Sequence, residues 1–167
     1  MALLDILTFP DPRLRTKAKP VETFDQALSR LVDDMLETMY HHSGVGLAAT
    51  QINVHQRLFV MDISATKDQA ICLVNPEIVS REGIIYESEG CLSVIDAFDK
   101  VERAQKVVVR GMDVKGKTLE LTAENLLAVC IQHELDHLDG ILFIDHLSRL
   151  KQDRIRKKAE KIKQRET

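Results

Sequence analysis

The chain has 167 residues, of which 44% are hydrophobic and 29% are charged, and its formal net charge at pH 7 is −3. This length predicts one domain with a sizeable core, and the lack of an apolar run of about 18 to 20 residues argues against a transmembrane helix. The three scattered cysteines (Cys72, Cys91 and Cys130) are too few for a disulfide scaffold, which favours a reducing compartment.

The first half of the chain reads as an extended segment, a helix and several strands. Residues 1–7 have no basic lead and no small-residue cleavage site, so we expect no signal peptide and a cytoplasmic protein. The prolines at positions 10, 12 and 20 predict extended or loop structure over the first twenty residues. An apolar stripe at helical spacing predicts a helix over residues 24–42. Strands are predicted over residues 57–63, 70–75 and 78–80.

The second half reads as a hairpin followed by two helices. Strands are predicted over residues 106–113 and 118–121, joined by a turn at residues 113–117. Thr122 is a candidate N-cap for a second helix, with Glu124 in its first turn. The apolar run from residue 126 to 131 is typical of a buried helix, which should end near Gly140. A last helix is predicted from about Ser148.

The end of the chain is basic. Residues 151–167 hold eight Lys or Arg against three Asp or Glu, so this tail carries +5 and the body before it −8. The asymmetry fits either a polyanionic partner for the tail or a solvated terminal helix.

Residues 132–137 read Gln-His-Glu-Leu-Asp-His and contain the pattern His-Glu-x-x-His. His133 and His137 are four residues apart, so they share one helix face and could bind one metal ion. Glu134 would then stand beside an open coordination position. The pattern predicts a metal-bound water that a carboxylate activates to attack a carbonyl.

Two protease-type third ligands fit the sequence poorly. Gly140 matches the glycine of the extended His-Glu-x-x-His-x-x-Gly-x-x-His pattern, but Phe143 stands where the third histidine would be. The acids at the distance that a second protease class requires are Glu160 and Glu166, which lie in the basic tail.

The remaining candidates for the third ligand are cysteines. Cys130 precedes His137 by seven residues, about 10 Å along a helix axis, which is too far for two metal–ligand bonds of about 2.0 to 2.3 Å. Cys130 is therefore interpreted as a packing residue. Cys91 follows Gly90, which permits close backbone approach, and Cys91 becomes the predicted ligand.

Three motifs resemble those of the peptide deformylase family, in the same order. They are Gly-Val-Gly-Leu-Ala-Ala-Thr-Gln at residues 44–51, Glu-Gly-Cys-Leu-Ser at residues 89–93 and the His-Glu-x-x-His segment. Residues 10–15 and the basic last helix extend the likeness over nearly the whole chain. The resemblance implies an α+β fold with antiparallel strands packed around a central metal-binding helix, and a C-terminal helix. Residues 1–147 would form the catalytic part, and residues 148–167 a basic helix of the same domain.

The resemblance also implies an activity, the removal of the formyl group from formylmethionine at the start of nascent polypeptides. Cys91, His133 and His137 would bind one divalent ion, natively Fe²⁺, with Zn²⁺ or Ni²⁺ as substitutes. Glu134 would act as general acid/base while a metal-bound water attacks the formyl carbon. The side-chain amide of Gln51 and the N–H of Leu92 would stabilise the oxyanion.

The implied substrate contacts are of two kinds. Backbone groups of Val45, Gly46 and Gly90 would bind an extended peptide, and an apolar pocket of Leu126, Val129 and Cys130 would hold the methionine. The chain departs from the family after the second motif, where Ile95 and Phe98 stand at the positions of a proline and a substrate-facing arginine. A specialised or secondary deformylase with altered peptide preference is therefore a further expectation.

Two other interpretations remain to be tested, a zinc endopeptidase and a non-catalytic module with a structural metal site. A closed structural site needs a fourth protein ligand, and no other histidine has a spacing that would supply one. For the deformylase interpretation we expect a monomer that does not bind membranes, and a basic tail that docks on the ribosome.

Overall fold

The computed structural model describes residues 2–166. Met1, in the predicted N-terminal segment, and Thr167, at the end of the predicted basic tail, lie outside the described residues. The main elements in chain order are α1 (Gln26–His41), β1 (Gly46–Ala48), β2 (Leu58–Met61), β3 (Ile71–Glu82), β4 (Ile85–Cys91), β5 (Val94–Arg103), β6 (Lys106–Met112), β7 (Thr118–Glu124), α2 (Asn125–Leu138) and α3 (Arg149–Glu166). Short 3-10 helices cover Pro12–Arg15, Ala49–Ile52 and Phe143–His146. The predicted α+β fold, with its C-terminal helix, is confirmed.

The strands form two antiparallel sheets. Five strands pair in the order β1-β2-β3-β6-β7, while β4 and β5 form a separate two-stranded sheet. The hairpin turn predicted between β6 and β7 is confirmed: the N–H of Asp113 donates to the carbonyl of Lys117 at 2.9 Å. Gly116 adopts a φ of +83° in this turn.

The larger sheet is covered by a helix on each face, which explains why all four residues of β2 are buried. Phe59 belongs to a core cluster with Ile131 and Leu138 of α2. Leu58, the residue before it, belongs to a second cluster with Met35 of α1. Because successive strand residues point to opposite faces, β2 contributes alternately to the two halves of the core.

The start of α2 differs from the prediction. Thr122 is not an N-cap, because it pairs with Val108 in the β6–β7 ladder. Glu124 ends β7 and precedes the helix, which begins at Asn125. The strand pairing with the valine-rich β6 overrides the local capping preference of threonine. In the same way, the two strands predicted over residues 70–75 and 78–80 are one strand, β3, with register shifts inside it.

The β4–β5 hairpin was not predicted, and it places Cys91 at the end of β4, beside α2. Its register is irregular near the turn. Cys91 pairs with Val94 and Glu89 pairs with Asp99, so four residues of β5 stand opposite Gly90 alone. We call residues 95–98 the β5 bulge.

The last helix, α3, packs on this hairpin. Ile155 lies against a core cluster that contains Ala97 and Val101 of β5. Lys151 forms an ion pair with Asp99 at 3.2 Å. None of the helices within residues 2–166 has the length and apolar character that spanning a bilayer requires.

Candidate active site

The helix α2 and the end of β4 bring three potential metal ligands together. His133 and His137 are buried, and their Nε2 atoms are 3.3 Å apart. The Sγ atom of Cys91 lies 3.3 Å from Nε2 of His137. The ligand atoms of the three residues all lie within 4.8 Å of one another.

This donor set fits a metal ion. Donors bound to a tetrahedral ion at about 2.0 to 2.3 Å lie about 3.3 to 3.8 Å apart, which agrees with the two separations of 3.3 Å. One thiolate and two imidazoles suit Zn²⁺, Fe²⁺ or Ni²⁺ better than Mg²⁺ or Ca²⁺. Three potential ligands meet here among residues 2–166, so an ion bound by them would keep an open position for substrate or water.

Glu89 orients the first histidine. Nδ1 of His133 lies 2.8 Å from Oε1 of Glu89, which places the ring proton on Nδ1 and leaves Nε2 free to bind a metal. Arg103 donates to both carboxylate oxygens of Glu89, at 2.8 and 2.9 Å. Burial by itself would raise the pKa of Glu89, but the hydrogen bonds from Arg103 and His133 outweigh it and lower that pKa.

Sequence analysis gave no role to Glu89 or Arg103. Both are buried charged residues, and buried charges need partners. The β4–β5 register sets Arg103 opposite Ile85 and Glu89 opposite Asp99, so their ion pair is not a directly opposed pair that the strand pattern would indicate. The available signal was the position of Glu89 directly before Gly90 and Cys91.

Glu134 lies at the floor of the cleft. Its carboxyl is buried, and Oε1 has no hydrogen-bond partner among the described residues. Burial raises the pKa of this carboxyl to about 7. The Oε2 atom lies against the α-carbon of Gly46, so closely that a side chain at position 46 would collide with it. A carboxyl held without a partner is available to a molecule that enters the cleft.

Gln51 is held on the opposite wall of the cleft. Its Oε1 accepts a hydrogen bond from the N–H of Ala48 at 2.9 Å, which fixes the direction of the amide group. Its Nε2 donates to Oγ of Ser93 at 3.0 Å and points toward Sγ of Cys91 at 3.6 Å. Leu92 lies in the two-residue turn between β4 and β5, next to these groups.

The predicted residues gather around one cleft of about 370 Å³. It is lined by all the predicted substrate residues and the predicted catalytic residues, together with two of the three ligands: Val45, Gly46, Gln51, Gly90, Cys91, Leu92, Phe98, Leu126, Val129, Cys130, His133 and Glu134. His137 is completely buried and does not line the cleft, but its Nε2 contacts Sγ of Cys91, which does. The mouth carries exposed apolar side chains, with Phe98 74% exposed.

Comparisons with known proteins agree on one family. The sequence profile described as Polypeptide deformylase matches residues 3–153. The chain is 59% identical to a peptide deformylase from Azotobacter vinelandii, over 96% of both chains.

Solved structures agree as well. The fold is similar to that of a peptide deformylase from Legionella pneumophila, with a TM-score of 0.94 and 53% identity over 98% of this chain and 97% of that one. It is also similar to a peptide deformylase from Ehrlichia chaffeensis in complex with actinonin, with a TM-score of 0.93 and 40% identity over 96% of this chain and 98% of that one.

These matches favour neither the endopeptidase nor the non-catalytic module. The chain belongs to the polypeptide deformylase family, whose metal-dependent hydrolases remove the formyl group from the N-terminal methionine of nascent polypeptides.

Proposed function

We propose that this enzyme deformylates its substrates with Glu134 as general acid/base and with Gln51 and Leu92 as oxyanion donors. The observation that carries the proposal is the buried Oε1 of Glu134, which has no hydrogen-bond partner within residues 2–166 and lies in the same cleft as Cys91 and His133. Residues 1–147 would carry this chemistry, and residues 148–167 would form a helix of the same domain.

Cys91, His133 and His137 would hold one divalent ion. When bound, the ion would lower the pKa of the attacking water and so supply hydroxide near neutral pH. We infer Fe²⁺ as the native ion and Zn²⁺ or Ni²⁺ as substitutes, since a mixed thiolate and imidazole set accepts all three.

Different protein groups would transfer the proton and stabilise the negative charge. Glu134 would take the proton of the attacking water on its carboxylate and return it to the departing amine. The negative charge that develops on the formyl oxygen would be met by Nε2 of Gln51 and the N–H of Leu92. The hydrogen bond from the N–H of Ala48 to Oε1 of Gln51 supports this role, because it fixes the side-chain amide of Gln51 before the substrate binds.

The peptide would bind along the edge of β1. The N–H of Asp62 donates to the carbonyl of Val45 at 2.8 Å, so this carbonyl points toward β2 and Val45 would offer its N–H to the peptide. Backbone groups alternate along an antiparallel strand, and those of Gly46 therefore face the open side. Gly90 would offer its backbone from the other wall.

The side chains of the cleft suit the first residues of the substrate. Leu126, Val129 and Cys130 would line an apolar pocket for the methionine. Phe98 would contact the residue after it, where an arginine is expected in relatives. This difference favours a specialised or secondary deformylase.

We further propose a cytoplasmic monomer whose α3 docks on the ribosome. The helix carries the basic excess of the chain, and the ribosome surface is rich in phosphate. Formylated nascent chains emerge there, so docking would bring the cleft close to its substrate.

The test is an assay of anaerobically purified protein on a formyl-Met-Ala-Ser peptide, with the metal content measured in the same sample. Release of formate in proportion to one bound ion per chain is expected. Full activity after complete removal of the metal would contradict the proposal.

A further inference from the structure

The β5 bulge is an irregular piece of the cleft wall. Residues 95–98 all lie opposite Gly90. The ring of Phe98 folds back over this glycine, so closely that a β-carbon at position 90 would collide with ring atoms. The ring therefore has a defined seat, although 74% of the side chain is exposed.

An exposed aromatic ring seated at the cleft mouth is placed to contact substrate. Phe98 lines the cleft that also contains Glu134 and the methionine pocket. Val45 and Leu126, which line the same cleft, are also exposed apolar side chains. Apolar side chains grouped at a mouth favour apolar ligand groups, because contact removes both surfaces from water.

The bulge is held from behind by α3 at three points. Nζ of Lys158 donates to the carbonyl of Asp96 at 3.0 Å, and Asp96 adopts a φ of +57°. Lys151 pairs with the carboxylate of Asp99, the residue after Phe98. Between these contacts Ala97 is buried in a cluster that Ile155 of α3 packs against.

We propose that α3 positions the β5 bulge, so that Lys151 and Lys158 act as positioning residues for the choice of the side chain that follows the formylmethionine. The proposal rests on the proposed function of the cleft. It assigns the C-terminal helix a role in peptide selection, separate from docking.

Asp96 has a backbone conformation that non-glycine residues adopt rarely. A non-glycine residue with positive φ stays there only when its surroundings hold it. Loss of the Lys158 contact leaves Asp96 without that support, and loss of the Lys151 pair frees the residue next to Phe98. The ring would then leave its seat on Gly90 in part of the molecules. The hydrolytic groups, held by α2 and β4, would not move.

The experiment measures kcat/KM for two peptides, formyl-Met-Leu-Ala amide and formyl-Met-Ser-Ala amide, on metal-loaded enzyme. The ratio of the two values reports selection, and wild type should prefer leucine. The double variant K151A/K158A should lower this ratio about threefold, since one exposed ion pair and one exposed hydrogen bond each contribute modestly. The loss should lie in KM for the leucine peptide, with kcat little changed.

Two further variants separate positioning from charge. The variant K157A/K161A removes the same charge from exposed lysines that form no hydrogen bond or ion pair with the bulge within residues 2–166, and it should keep the wild-type ratio. K151R/K158R retains both donors and should keep it too. In an F98A background, K151A/K158A should have no further effect on the ratio, because the ring that it positions is gone.

Three results would overturn the proposal: a wild-type ratio near one, an unchanged ratio in K151A/K158A, or an equal fall in the charge control. Failure of the proposed function would be distinct. In that case metal-loaded wild-type enzyme would release no formate from either peptide.

Discussion

The two walls of the cleft differ in how they are held. On the ligand side, His133, Glu134 and Glu89 are buried on a helix and a strand, and Arg103 fixes Glu89 with two hydrogen bonds. On the mouth side, Phe98 stands exposed on an irregular bulge. The groups proposed for hydrolysis are thus built into the core, while Phe98, proposed to meet the rest of the peptide, is supported from the surface.

This difference predicts how the two walls respond to change. Substitution on the ligand side should alter kcat or metal content, because the geometry there is set before substrate binds. Substitution at the mouth should alter KM and peptide preference and leave the chemical step in place. The following predictions test that division in order of expected effect.

The largest effect is expected for Glu134→Ala. Loss of a general acid/base typically costs about 10²- to 10⁴-fold in rate, so formate release should become nearly undetectable. Metal analysis should still find most of the ion, because Glu134 is not among the three ligands. Activity close to wild type would remove Glu134 from its proposed role.

Cys91→Ser tests the ligand set. A cobalt-substituted wild-type sample should show a thiolate charge-transfer absorption band, and the variant should lose that band together with part of its metal. Cys72→Ser is the matched control, since Cys72 does not line the cleft, and it should keep both. A Cys91→Ser sample with an unchanged band would show that the ligand is a different residue.

Gln51→Ala should slow the chemical step. Removing one oxyanion donor typically costs about 10²- to 10³-fold in kcat, with a much smaller rise in KM. Steady-state kinetics with formyl-Met-Ala-Ser would separate the two constants. A change confined to KM would instead make Gln51 a residue that binds the ground state.

Phe98→Arg tests the mouth of the cleft. An arginine there could form charge-assisted hydrogen bonds with a peptide carbonyl, which phenylalanine cannot do. We expect KM for formyl-Met-Ala-Ser to fall about two- to fivefold, with kcat nearly constant. Equal KM values across a panel of polar and apolar peptides would mean that position 98 does not meet the substrate.

The smallest effect on chemistry is expected for truncation after Leu150. Turnover of formyl-Met-Ala-Ser should persist, because Ala offers little surface to the bulge and the ligands lie elsewhere. Co-sedimentation with ribosomes at low salt should weaken, and added salt should weaken that of the full chain too. Equal co-sedimentation of both forms would argue against docking through α3.

More of the ligand side of the cleft than of its mouth could be predicted from the sequence. The His-Glu-x-x-His spacing places two imidazoles on one helix face whatever the tertiary structure, and Cys91 followed by elimination. The β4–β5 hairpin escaped prediction because β4 is mostly polar and its partner is a single strand. The seat of Phe98 on Gly90 depends on a register irregularity, which no local propensity encodes.

Helix boundaries illustrate the same limit. Thr122 has the chemistry of a cap, yet the ladder with Val108 extends β7 past it to Glu124. Local signals could identify that a helix follows, but only the partner strand decides where the helix begins.

The close approach of Gly46 to Glu134 bears on inhibitor resistance. A bacterium often escapes a small molecule by placing a bulkier residue where the compound sits. At position 46 an added side chain would strike Oε2 of Glu134 and displace the carboxylate that we propose as general acid/base. A compound that presses on Gly46 would therefore be evaded only at the cost of activity, whereas one that relies on Phe98 contacts an exposed residue that can be exchanged.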